Sequence, residues 1–312
     1  MIIKINIYTL ILLPFLLVAC GGGGGGGGGG GVSPTPSSGA QFKSWNELQQ
    51  GTTAFQGISY DGSYEANLNT NRVTQINSVS YSDSARVSAT YNPCGTNLIC
   101  LERLSIGSLV SWNKDNGDFI GRGQGITSNL TLVRSNDLTK IGFASDPAIM
   151  NHNYNTFGIW ANGINTGSGR FGAISVGVRT NPASIPSSAS ANFYGGLGGI
   201  AVDELGEWWL AAADLRVLVD FGRRTLDFYS SNTILSEDGV SFLRYIGLDL
   251  RGRLSYNSGS SSFDGNLFIT NTNIRGPAKG RFYGPNADEL GGVFDLKGSG
   301  LSRFTGSFGA NR

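Results

Sequence analysis

Residues 209–221 read Trp-Leu-Ala-Ala-Ala-Asp-Leu-Arg-Val-Leu-Val-Asp-Phe. Every odd position (Trp209, Ala211, Ala213, Leu215, Val217, Val219, Phe221) is apolar, while Asp214, Arg216 and Asp220 fall on even ones. A period of two held over the whole run predicts one long antiparallel strand with a buried face and a wet face. The alternation returns downstream, where Leu248, Leu250, Leu254 and Tyr256 share a face opposite Asp249, Arg251, Arg253 and Ser255. Gly252 falls on the apolar side, where a strongly curved sheet often needs a missing side chain.

Working outward from this run, the pattern after Ser190 predicts eight strands. They lie near 191–202, 207–221, 225–230, 245–256, 262–270, 278–284, 291–297 and 303–309. Eight antiparallel strands with mostly short connections favour an up-and-down barrel, which leaves no exposed edge; a two-sheet sandwich is the alternative. Gly195, Gly196, Gly198 and Gly199 are expected to let the first strand bend where the sheet closes.

Residues 41–180 are also strand-rich, in runs such as VTQINSVSYS, ARVSATY, NLTLV, FGIW and GAISVGV. Lys114-Asp115-Asn116-Gly117-Asp118 carries the two-residue hairpin signal between two apolar runs. The stretch TNPASIPSS, 180–188, breaks any strand and reads as a junction. The chain is therefore expected to be all-β, with a β-rich module at 41–186 and a barrel at 187–312.

Charged residues make up 14% of the chain, Gly numbers 48 and aromatics reach 11%, a composition that suits a turn-rich β protein. Lys and Arg total 23 against 22 Asp and Glu, which argues against an electrostatic nucleic-acid binder. His152 is the single histidine, so catalytic triads and multi-histidine metal sites have no support, and the chain reads as no enzyme.

The N-terminus reads as an address and an anchor. Residues 1–19, MIIKINIYTLILLPFLLVA, form a short, Pro-interrupted apolar segment of the signal-peptide kind. Leu17-Val18-Ala19-Cys20 resembles a bacterial lipobox, with Cys20 as the acylated first residue of the mature chain. Several acyl chains on one residue give stable membrane anchoring. Gly21 follows in place of the Asp that retains lipoproteins at the inner membrane, so the outer membrane is the expected destination. Gly21 to Gly31 and the Ser/Pro-rich residues up to 40 cannot pack a core and read as a mobile tether. Cys94 and Cys100, separated by Gly-Thr-Asn-Leu-Ile, are expected to form a local disulfide in an exported chain. Closing so short a loop contributes about 2 kcal/mol.

Other motifs fail their structural tests. Gly167-Ser168-Gly169-Arg170-Phe171-Gly172 is a G-x-G-x-x-G followed by strand rather than by a helix N-terminus, so a hairpin turn is expected. Asp203/Glu204 and Asp288/Glu289 read as solvated charges in turns. Met150-Asn151-His152-Asn153-Tyr154 supplies residue types that serve as haem axial ligands, which makes His152 and Tyr154 candidates against the plainer reading of a solvated loop; no other cofactor or metal site is expected.

The segment 280–294, GRFYGPNADELGGVF, resembles the signature of the transferrin-binding protein B barrel, whose superfamily includes factor H binding protein. Phe282, Tyr283, Gly284, Pro285, Asn286, Ala287, Glu289, Leu290, Gly291 and Gly292 carry the motif. Asn192-Phe193-Tyr194-Gly195-Gly196, Trp208-Trp209, Val219-Asp220-Phe221-Gly222, Ser262-Phe263-Asp264-Gly265 and Thr305-Gly306-Ser307-Phe308-Gly309-Ala310 fit the same pattern. Phe42-Lys43-Ser44-Trp45 and Phe157-Gly158-Ile159-Trp160 fit the family's handle domain. The motif's physical sense is structural. Gly284-Pro285 ends a strand, Asn286 is placed to cap a single turn, and Gly291-Gly292 admits the chain to the next strand.

The resemblance implies a surface lipoprotein with one handle and one eight-stranded barrel, exported with help from a surface lipoprotein assembly modulator. Its partner would be a protein or iron-carrying ligand, with a TonB-dependent receptor as a possible neighbour. Direct haem or small-ligand binding, in a loop pocket or the barrel mouth, is the second reading. Adhesion or surface shielding is the third.

Overall fold

The computed structural model describes residues 50–95, 98–123, 128–237 and 241–312. Cys20, the leader, the tether and Phe42 to Trp45 lie outside the described residues. The described residues pack as a single compact unit.

The first sheet contains β1 (Gly51–Asn67), β2 (Arg72–Ile76), β3 (Ser80–Gly95), β4 (Leu98–Ile106), β5 (Val110–Asn113), β6 (Phe119–Arg122), β7 (Leu130–Arg134), β8 (Lys140–Ser145), β9 (Asn155–Asn162) and β10 (Ser168–Gly177). Its order is β5-β4-β3-β1-β10-β9-β8-β7-β6, with β2 as a flap on β1. The residues between β5 and β6 form a 3-10 turn, Lys114–Asn116, closed by Gly117 at φ 81°. The expected hairpin is absent, because β5 pairs with β4 and β6 with β7 at opposite ends of the sheet. The Asn-Gly signal correctly marked a tight turn, but the turn joins the two free edges of a curled sheet. Cys94 and Cys100 are bonded across the β3–β4 hairpin, with Cα atoms 5.7 Å apart.

The second sheet contains β11 (Ser190–Asp203), β12 (Trp208–Asp220), β13 (Thr225–Ser236), the short β14 (Leu243–Arg244), β15 (Leu250–Tyr256), β16 (Ser262–Ile269), β17 (Arg275–Tyr283), β18 (Glu289–Gly298) and β19 (Leu301–Asn311). Neighbours pair antiparallel in chain order, and β19 returns to β11, which closes an eight-stranded barrel and excludes the sandwich. The strand expected at 225–230 runs on to Ser236, while the one expected from 245 starts at Leu250 after a 3-10 turn, Ile246–Leu248.

The barrel interior is filled. Leu215, Val217 and Val219 of β12 meet Leu250, Leu254, Phe263, Phe282, Phe294, Phe304 and Phe308 in one buried cluster. Inward glycines make room for the rings. A Cβ on Gly199 would sit 2.4 Å from the Phe304 ring, and one on Gly306 would sit 2.3 Å from that of Phe294. Gly and Phe therefore alternate as hole and peg across strands, which packs a narrow barrel to interior density.

One face of the first sheet covers the barrel wall built from β11, β19 and β18. Ile58, Tyr60, Phe143, Ile159 and Ala173 bury against Ile200, Val202, Leu210 and Val293. The expected bend at the glycines of β11 is only part of their role. A Cβ on Gly198 would meet the Phe143 ring at 2.2 Å, so this glycine admits a side chain from the first sheet to the barrel backbone. Gly309 does the same for Phe157, at 2.5 Å. The other face of the first sheet curls around Phe55, Val87, Trp112, Val133, Trp160 and Ile174.

Candidate binding surfaces

The barrel's strand ends divide into a clamped end and an open end. At the clamped end the motif stretch 282–292 faces the first sheet. Glu289 opens β18 with 2% exposure, and its carboxylate accepts the backbone N–H groups of Asn153, Tyr154 (3.0 Å) and Asn155 (2.8 Å). Burial raises this carboxyl to about 7, against the three N–H donors, which pull it down. Its reading as a solvated turn charge is overturned: the turn belongs to the barrel, but the side chain points into the seam. Asp288 does remain partly exposed, paired with Arg312 at 3.0 Å.

The Tyr283 hydroxyl lies 3.2 Å from Ser175 Oγ on β10, and Thr180 Oγ1 donates to the Gly284 carbonyl at 2.7 Å. Gly284 and Ala287 adopt positive φ, 85° and 58°. The expected Asn286 cap is replaced by its neighbour's carboxylate, since the Asn286 N–H donates to Asp288 Oδ2 at 3.1 Å. Asn155 also reaches across, donating Nδ2–H to the Leu290 carbonyl at 2.8 Å over Gly291.

His152 and Tyr154 belong to this seam. The imidazole is 1% exposed, 6.1 Å from the Phe157 ring, and neither ring nitrogen has a hydrogen-bond partner among the described residues. Burial lowers its pKa to about 4, so the ring is neutral. The Tyr154 ring lies over Gly284, where a Cβ would meet it at 2.7 Å. An axial bond from His152 would first require the seam to open. His152, Tyr154 and Glu289 are thus brought together as packing, a relation that no spacing in the sequence signals.

At the open end the connection 204–207 is held to β2, where the Val73 N–H donates to the Gly206 carbonyl at 2.8 Å and Arg72 pairs with Glu207, while the others include the described residues 241–249, 270–274 and 299–300. The longest leaves β13 and returns to β15, and it carries Leu243 at 77%, Ile246 at 59% and Tyr245 at 53% exposure. Just inside the rim, Tyr229, Arg251 and Phe268 stand in one row across β13, β15 and β16. Tyr229 and Phe268 are exposed on the outer wall, and the Arg251 guanidinium lies 5.6 Å from the Tyr229 ring centre. Arg251 is fixed by donating to the Leu250 carbonyl at 2.8 Å and to the Ser230 carbonyl. Aromatic and Arg side chains on a rigid wall are the composition of a protein-docking hot spot. Sequence alternation hides this patch, because on a half-wet wall these positions read simply as the outer face.

Residues 185–312 match the family described as the C-lobe and N-lobe beta barrels of Tf-binding protein B. Among solved structures, a Trp-to-Ala variant of transferrin binding protein B from Haemophilus parasuis Hp5 aligns with 84% of this chain and 76% of its own at 13% identity, TM-score 0.42. Isotype 1 transferrin binding protein B from Neisseria meningitidis aligns with 84% and 77% at 11% identity, TM-score 0.40. The N-lobe of lactoferrin binding protein B from Moraxella bovis aligns with 82% and 98% at 11% identity, TM-score 0.38. No curated protein matches.

Proposed function

We propose that this chain, whose C-terminal module is a barrel of the transferrin-binding protein B type, is a surface lipoprotein that captures an iron-carrying protein with the open end of that barrel. The observation that carries the reading is the exposure of Leu243, Tyr245 and Ile246 on the connection that joins β13 to β15, together with the exposed Tyr229 and Phe268 that flank Arg251 on the same barrel wall. Large apolar side chains exposed together at a barrel rim mark a surface that a partner covers, and loops on a rigid frame are where recognition concentrates. In this reading 41–186 is the handle, 187–312 the barrel, and acylated Cys20 with its poly-Gly tether sets both off from the membrane. The Cys94–Cys100 bridge suits an exported chain. A surface lipoprotein assembly modulator would export it, and a TonB-dependent receptor would take the iron onward.

The test uses residues 40–312, immobilised and exposed to iron-loaded transferrin and lactoferrin. The expected result is retention of one of them, weakened at least tenfold in a Tyr245→Ala/Ile246→Asp variant of unchanged melting temperature. Equal retention by the variant, or none by the wild type, would overturn the proposal.

A further inference from the structure

The curled first sheet, unlike the barrel, is hollow. Its interior holds a cavity of about 420 Å3, within the range of about 300–1,000 Å3 found for small-molecule pockets. Val87, Ile106, Trp112, Val133, Ile174 and Val176 line its body. Most of the polar lining gathers at one end, where β6 and β8 finish and β7 and β9 begin: Arg122, Thr131, Ser145, Asp146 and Thr156. Arg122 faces Thr131 in register across β6 and β7, and further along the same end Ser145 Oγ and Thr156 Oγ1 lie 2.9 Å apart. A long apolar chamber with one polar mouth has the polarity of a molecule with one tail and one head.

The mouth also indicates the shape of the head. Arg122, half exposed, donates its Nε–H to Asp146 Oδ2 at 3.0 Å. Asp146 offsets the charge of Arg122, so the preference for a carboxylate rests on the planar fork of the terminal amino groups, whose paired donors match its two oxygens. Thr131, opposite Arg122 in register, adds a hydroxyl beside it. We propose that the lumen of the first sheet binds a single-chain aliphatic carboxylate, with its tail among Val133, Ile174 and Trp112 and its head on Arg122. The site is separate from the open barrel end, so either can fail without the other.

Residues 40–312 are titrated with cis-parinaric acid, and the bound probe is displaced with dodecanoate, dodecan-1-ol or dodecyltrimethylammonium. The expected order is dodecanoate, then the alcohol, then the cation. Arg122→Gln should weaken dodecanoate at least tenfold while changing the alcohol less than threefold. In a second readout, 12-bromododecanoate should quench the indole emission of the wild type, and Trp112→Phe should remove much of that quenching. Absence of probe binding, a preference for the cation, or a dodecanoate affinity unmoved by Arg122→Gln would each overturn the proposal.

Discussion

The barrel and the first sheet are both curled antiparallel sheets, yet one is solid and the other hollow. In the barrel, Gly199, Gly292 and Gly306 lie under Phe304, Phe308 and Phe294, so each missing side chain is filled by a ring from a neighbouring strand. In the first sheet the inward positions include Val87, Ala89, Val133, Ala144, Ile174 and Val176, and with the rings of Phe55, Tyr91 and Trp112 they surround a cavity rather than fill it. Trp112 lies against Gly142 and Trp160 against Gly172. The same backbone geometry thus yields a frame or a container according to where the aromatic volume is placed.

The largest test of this contrast truncates the packed side. Phe308→Ala should cost about 3–5 kcal/mol in urea unfolding, because a filled barrel cannot collapse onto the void. A loss under about 1 kcal/mol would mean that the barrel core is looser than its packing indicates.

The seam is next. Glu289→Ala leaves three backbone N–H groups of residues 153–155 without their acceptor and should cost about 3 kcal/mol, with faster amide exchange in that segment.

The pH dependence of stability sharpens the same region. His152, held near 4 when folded and 6.5 when unfolded, contributes stability that is present above pH 6.5 and lost as pH falls through 4, about 3 kcal/mol in all. Glu289, raised from 4.5 to about 7, acts in the opposite sense: its contribution is present below 4.5 and lost as pH rises through 7. Between pH 4.5 and 6.5 the two slopes oppose one another in the wild type. His152→Leu should unmask the Glu289 slope, so that the variant loses stability steadily as pH rises across that window. A variant profile parallel to the wild type would contradict the assignment.

The smallest effect is expected on the hollow side. Ala89→Leu adds atoms to empty space and should leave stability unchanged or raise it by up to about 2 kcal/mol. A clear loss would mean that the lumen is already filled.

How much of this the sequence revealed follows from what each signal encodes. β12 was legible along its whole length because a barrel wall has one dry and one wet face, and the period of two records that directly. Glu289 was not, because its partners are backbone N–H groups more than 130 positions upstream, which no residue type marks. Gly198 and Gly309 were legible as glycines but not as sockets, since Phe143 and Phe157 arrive from another sheet. The turn at Gly117 encoded its own φ but said nothing about which strands it joined. The open-end patch escaped notice because its members come from one long connection and three separate strands.

Xenon tests the contrast between filled and hollow sheets most directly, since it enters apolar cavities that packed cores exclude. Crystals of residues 40–312 under xenon pressure should show density between Trp112, Val133 and Ile174, and none among Phe282, Phe294 and Phe308. Xenon inside the barrel, or an empty first-sheet lumen, would contradict the account.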